Sequence, residues 1–202
     1  MIAFAQGQWR PLFNGKDLDG WTQVGPGRFV IENGALKTEG GMGLLWYTRE
    51  KFADATIRVV YRTPQPKVGG NSGVFIRIPE KPTEPWMPVN KGYEVQIDDS
   101  ADDYHRTGVL YSFSKVKAKP EAREWNTMEI TLDGDRTVVV VNGVTITDFR
   151  EGDPVPDKQN PYEPERGRRL VNGYIGLQNH SEKDVVLFRE ISVKDNSPHA
   201  VR

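Results

Sequence analysis

The segment Tyr93-Glu94-Val95-Gln96-Ile97-Asp98 is the part of the chain with the clearest capacity for chemistry. Successive side chains of a strand point to opposite faces. Tyr93, Val95 and Ile97 then turn to a core, and Glu94, Gln96 and Asp98 share the other face. Two carboxylates flanking an amide suit a face that meets water, a partner charge or a polar ligand. In Asn71-Ser72-Gly73-Val74-Phe75-Ile76-Arg77, Val74 and Ile76 share one face while Gly73, Phe75 and Arg77 share the other. If the two strands are neighbours, Arg77 neutralises Glu94 or Asp98, lowers the carboxylate's pKa and donates to a sugar hydroxyl. The plainer reading is a cross-strand ion pair, worth little when exposed. In Gly173-Tyr174-Ile175-Gly176-Leu177-Gln178-Asn179-His180, Tyr174, Gly176, Gln178 and His180 face outward. Gly176 would admit a ligand close to the backbone, and His180 reads either as a proton carrier near neutral pH or as a surface histidine at a strand end. Trp46, Tyr47, Trp86 and Tyr111 can stack on sugar rings or pack in the core.

Asp98, Asp99, Asp102 and Asp103 gather hard oxygens within one short stretch, which suits either a calcium loop or a solvated acidic turn. The spacing is not that of an EF-hand. The chain has no zinc-type histidine pair, no glycine-rich phosphate loop before a helix and no Gly-x-Ser-x-Gly elbow, so nucleotide chemistry and serine hydrolysis lack a basis. No resident cofactor is called for.

Period-two alternation in one short stretch after another predicts the elements that hold these groups. Strands are expected over 28–32, 35–39, 42–47, 55–62, 73–78, 92–98, 108–113, 125–132, 136–142, 144–149, 173–179 and 185–193. Asn33-Gly34, Asp133-Gly134 and Asn142-Gly143 lie between such runs and favour two-residue hairpin turns. The insertions Pro79 to Asn90 and Gly152 to Arg169 are rich in proline and charge, and read as functional loops at a sheet rim. With 202 residues, no cysteine and a net charge of −1, the chain fits one all-β domain, a two-sheet antiparallel β-sandwich or jelly roll over 9–195. Residues 1–8 read as a flexible start or a signal-peptide remnant, because Met1 to Gln6 is apolar with a small-x-small ending, and 196–202 read as a tail. Balanced charge gives no reason to expect nucleic acid, no run is long enough for membrane insertion, and the oligomeric state is left open.

Leu12-Phe13-Asn14-Gly15-Lys16-Asp17-Leu18-Asp19-Gly20-Trp21, the Asn71–Arg77 and Tyr93–Ile97 segments, Glu124-Trp125-Asn126-Thr127, Val141-Asn142-Gly143, and Gly176-Leu177-Gln178 followed by Phe188-Arg189 together resemble the 3-keto-disaccharide hydrolase family. The resemblance runs from about Trp9 to Lys194. It implies a concanavalin A-like jelly roll, often exported to the periplasm or beyond, with a carbohydrate-facing sheet and, in some members, cleavage of glycosides whose sugar carries a 3-keto group. Such a ketone acidifies the C2 hydrogen and lies β to the C1 leaving group, so one base can start the reaction. On this reading Glu94 or His180 is the base, Arg77 and Gln96 stabilise the enolate, and Phe75, Asp98, Tyr111, Gln178, Tyr174, Trp46 and Trp86 contact the carbohydrate. Glu94, Gln96 and Asp98 also resemble the Glu-x-Asp-x-x-Glu strand of laminarinase-type glycanases, with Gln96 in place of aspartate. A retaining glycanase using Glu94 and Asp98 would need the two carboxyls about 5–5.5 Å apart. A sugar-binding module without turnover is the remaining alternative.

Overall fold

The structure, a computed structural model, describes residues 7–64 and 70–196. The Met1–Gln6 segment and the tail beyond Asn196 lie outside the described residues. Among the described residues, thirteen strands form two antiparallel sheets. The five-stranded sheet runs β2 (Trp21–Val24), β5 (Gly43–Tyr47), β12 (Tyr174–Asn179), β7 (Ser72–Ile78) and β8 (Tyr93–Ile97). The larger sheet runs β11 (Val144–Arg150), β10 (Arg136–Val141), β9 (Asn126–Asp133), β6 (Ala55–Arg62), β13 (Leu187–Asp195), β4 (Ala35–Glu39) and β3 (Arg28–Glu32), with the short β1 (Arg10–Pro11) beside β13.

Alternation builds the layer between them. Met128, Ile130 and Leu132 of β9 and Val139 and Val141 of β10 meet Val74, Ile76, Val95, Ile97, Ile175 and Leu177 of the smaller sheet in one apolar cluster. Asn33 and Gly34, and Asn142 and Gly143, all adopt positive φ, the geometry of the tight turn that matches strand twist. Between β9 and β10 only Gly134 does so.

Residues 108–113 do not form the expected strand. Gly108 and Ser112 both sit at positive φ, and Leu110 O accepts the amides of Phe113 and Ser114, so the segment closes into a turn. It nevertheless runs along β8: Gly108 N donates to Gln96 O, Gln96 N to Val109 O and Tyr111 N to Glu94 O. That covers an edge strand that would otherwise offer its backbone to another chain. The 79–90 insertion ends in a short helix that runs one residue beyond it, α1 (Met87–Lys91), whose Met87 and Val89 pack on Leu44, Trp46, Phe75 and Ile78. This second apolar cluster lies on the face of the smaller sheet turned away from the main core.

Candidate active site

Strand register brings the polar residues of three strands into one neighbourhood. Gln178 follows Leu177, which pairs with Val74, and Gly73 pairs with Gln96, so Gln178, Gly73 and Gln96 form a row across β12, β7 and β8. Glu94 stands in the next row, opposite Phe75. A cavity of about 120 Å³ opens over them. Glu94, Gln96 and Gln178 line its floor, with Asn71, His180 and Tyr111 around it, and Val89, Trp86 and Tyr162 enclose the rest. Trp86 and Tyr162 are 44% and 62% exposed, so aromatic faces are free at the mouth. The 79–90 insertion brings Trp86, and the 152–169 insertion brings Tyr162.

Glu94 is only 6% exposed, and none of the cavity-lining residues is an arginine or lysine. Burial pushes its carboxyl up to about 8, against which a hydrogen bond from the Gln178 side chain works in the opposite direction. The carboxyl reaches over β7: a Cβ built on Gly73 would stand 2.5 Å from Glu94 Oε1. Glycine is therefore what admits this conformation. Gln96 Nε2 donates to Asn71 Oδ1 at 3.1 Å, whereas Gln96 Oε1 and Gln178 Oε1 are buried and accept no hydrogen bond from the protein. Buried acceptors left open are costly unless a ligand or water supplies donors. Burial, and after it the charge of Glu94, pushes the Tyr111 phenol up to about 12, so it is protonated across the neutral range.

His180 follows the end of β12, and its Nδ1 lies 2.7 Å from Asp184 Oδ2. Burial would raise the Asp184 carboxyl, but hydrogen bonds from Ser181, His180 and the amides of Asn71 and Gly70 outweigh it and hold the carboxyl below its usual range. The Gly70 and Asn71 amides each donate to Oδ1 at 3.0 Å. An ionised, fully hydrogen-bonded carboxylate on Nδ1 fixes the imidazole's tautomer and leaves Nε2 as its basic nitrogen.

Several expected site residues lie elsewhere. Arg77 is the principal correction. At that position β7 bulges: Tyr174 pairs with Ile78 but Gly176 with Phe75, and Arg77 takes φ 56°. One extra residue reverses the alternation, so Arg77 turns from the cavity face and is fully buried. Its guanidinium donates to Gly134 O at 2.9 Å, to Leu170 O and Arg136 O at 3.3 Å, and to Thr137 Oγ1. Phe75, Trp46 and Tyr174 do occupy the outward face, but α1 covers them. Phase was right and accessibility was not, because the insertion supplies its own apolar lid. Trp46 and Tyr174 pack edge to face at 5.0 Å. Leu44 fills the space above Gly176 that a ligand was expected to use.

Asp98 falls beyond the end of β8, where its Oδ1 accepts the Ser100 amide and hydroxyl, and it does not reach the cavity. Glu94 thus lacks the second carboxylate a retaining glycanase needs. The neighbouring acids also serve separate partners, Asp102 bonding His105 and Asp103 facing Lys115 at 3.6 Å. Among the described residues no group of three or more acidic or imidazole side chains is arranged to hold a metal ion. The sequence reading missed Asn71, Tyr162 and Asp184. Tyr162 stood within a loop marked as functional, whereas Asp184 carried no periodic signal.

No curated protein has significant similarity to the chain. Two solved structures from Parabacteroides distasonis ATCC 8503, both provisionally assigned as glycosyl hydrolases, superpose with a TM-score of 0.74 each. One is 21% identical, with 94% of each chain covered, and the other 24% identical, with 93% of this chain and 99% of that one covered. The carbohydrate-binding module CBM66 from Bacillus subtilis follows with a TM-score of 0.61 at 14% identity, covering 87% of this chain and 96% of its own. These likenesses establish the fold, an all-β jelly-roll sandwich of the kind found in carbohydrate-binding domains. The family model for the 3-keto-alpha-glucoside-1,2-lyase-like domain matches residues 8–194, and the chain therefore belongs to that family.

Proposed function

We propose that the cavity over Glu94 is the active site of an enzyme that cleaves 3-keto glycosides by elimination across C1 and C2. The observation that carries the reading is a buried carboxyl, raised to about 8, in a cavity without a cationic side chain and beside an imidazole oriented by a carboxylate. Two titratable groups in contrasting environments divide the labour of acid and base.

His180 Nε2 takes the C2 proton. The electron pair of the C–H bond moves into a C2–C3 double bond and charge develops on the C3 oxygen. Glu94, still protonated at neutral pH, donates a hydrogen bond to that oxygen, which a carboxylate could not do. The enolate then expels the C1 substituent, and the proton held by His180 passes to the departing oxygen. Water adds to the resulting enone and completes a net hydrolysis. With Arg77 turned away, neutral Glu94 takes over the stabilising role expected of a cation. The open oxygens of Gln96 and Gln178 accept hydrogen bonds from hydroxyls of the sugar. The 1,2-lyase wording of the family description supports an elimination across C1 and C2.

The test is incubation with matched 3-keto and unoxidised disaccharides, read by product mass. Cleavage of the 3-keto compound alone is expected, and binding of either without product would leave a sugar-binding module.

A further inference from the structure

A second cleft, of about 600 Å³, lies beyond Tyr111. Its size falls within the range of about 300–1,000 Å³ that small ligands occupy. Tyr111 lines the cavity over Glu94, and the next residue, Ser112, lines the larger cleft. The residues around this cleft take no part in the reaction derived above.

A chain of hydrogen bonds runs along its wall. Asp102 Oδ2 lies 2.8 Å from His105 Nδ1, and His105 Nε2 lies 2.8 Å from Ser112 Oγ. Burial would raise the Asp102 carboxyl, but hydrogen bonds from His105 and from the Tyr104 amide outweigh it and hold the carboxyl below its usual range. An ionised carboxylate on Nδ1 leaves Nε2 as the nitrogen that accepts the Ser112 proton. The Tyr111 ring packs 4.8 Å from the imidazole and holds it in place. This is the connectivity of a hydrolytic triad, which is recognised by geometry and roles rather than by sequence position.

The backbone of Ser112 is a second, independent observation. It takes φ 62°, a left-handed conformation that a serine adopts only at a cost. The surrounding turn enforces it: the Ser112 amide donates to Tyr104 O at 3.0 Å, and Leu110 O accepts the amides of Phe113 and Ser114. Strain of this kind clusters at active sites, and a sharp, strained turn is one way to present a nucleophilic hydroxyl. The chain lacks the Gly-x-Ser-x-Gly pattern of a strand-to-helix elbow, and the turn at 108–113 takes its place.

We infer that Asp102, His105 and Ser112 form a second catalytic centre, which hydrolyses uncharged carboxylic esters. Ser112 Oγ attacks the carbonyl carbon as its proton passes to His105 Nε2. The alcohol leaves with that proton and the acyl group stays on Ser112. Water then attacks the acyl group, His105 takes its proton and returns it to Ser112 Oγ, and the carboxylic acid departs. Because the amides of Ser112, Phe113 and Ser114 are engaged, the backbone offers no oxyanion cradle. Among the described residues lining the cleft Lys115 is the only lysine or arginine, and it is left to meet the charge that develops on the carbonyl oxygen. Esters with a good leaving group, such as aryl esters, are therefore favoured. Asp103 and Asp157 face the cleft against Lys115, while Glu163 is matched by Arg166, so an anionic ester is disfavoured.

The test treats the folded chain with an uncharged alkyl fluorophosphonate, maps the adduct by peptide mass, and follows hydrolysis of 4-nitrophenyl acetate by the 4-nitrophenolate released. A single adduct on Ser112 is expected. Asp102→Asn, at an exposed position, should slow labelling and hydrolysis by about 10²-fold or more through loss of the oriented tautomer. Ser112→Ala should abolish the adduct and lower hydrolysis at least as far. No adduct, an adduct on another residue, or equal rates in Asp102→Asn and the wild type would overturn the centre. An adduct on Ser112 with hydrolysis no faster than in Ser112→Ala would overturn the esterase activity. Neither probe is a 3-keto sugar, so the result is independent of the reaction assigned to the Glu94 cavity.

Discussion

Glu94 is held protonated by its surroundings, and each of those surroundings can be changed singly. Gly73→Ala would drive a methyl group into the carboxyl, since the built Cβ meets both Oε1 and Cγ under 3.0 Å. Because Gly73 is not at positive φ, the backbone tolerates alanine. The expected outcome is a loss of kcat/KM of about 10–100-fold, the scale of one misplaced hydrogen-bond donor, with less than about 1.5 kcal/mol change in denaturant stability. Asp184 acts through His180. Asp184→Asn is expected to lower kcat by about 10²-fold or more through loss of the oriented tautomer, with KM little changed, and His180→Ala to lower it by about 10²–10⁴-fold. Steady-state kinetics of the pair check this, and an Asp184→Asn effect confined to KM would show a structural role instead.

At the scale of elements, alternation was a sound guide as far as the backbone stayed regular. The inward sets of β7, β8 and β12 and the outward position of Glu94, Gln96 and Gln178 follow from period two alone. It misled at Arg77 because a bulge inserts a residue without leaving a mark in the hydrophobic pattern, and at Asp98 because β8 stops one residue earlier. Arg77 accordingly belongs to stability. Its removal takes one donor from each of the carbonyls of Gly134, Arg136 and Leu170 and opens a cavity beside the β9–β10 turn. Arg77→Ala should cost about 2–4 kcal/mol in chemical denaturation while leaving the pH dependence of the folded enzyme unaltered. A variant with wild-type stability but no activity would return Arg77 to the site.

For the whole molecule, the two-sheet architecture was legible because hairpin dipeptides and alternation agree, whereas the closure of the site was not. Trp86, Tyr162 and α1 reach it from irregular insertions whose paths depend on tertiary contacts. Burying Glu94 also has a global cost. Its carboxyl ionises near 4.5 in the unfolded chain and near 8 in the folded one, so between these values the folded state binds the extra proton. The stabilising contribution is complete below about pH 4.5 and is lost as pH rises to about 8, on the order of a few kcal/mol. Glu94→Gln should lack that slope and exceed the wild type in stability at about pH 8.5, as measured by urea unfolding across pH.

The most direct measurement is kcat/KM for a 3-keto glycoside as a function of pH, for the wild type and for Glu94→Gln. A protonated Glu94 that stabilises the enolate predicts activity that falls as pH rises through about 8, and a weaker variant that lacks this alkaline limb. Activity that instead climbs through about 8 to a plateau would make Glu94 the ionised base and contradict the account.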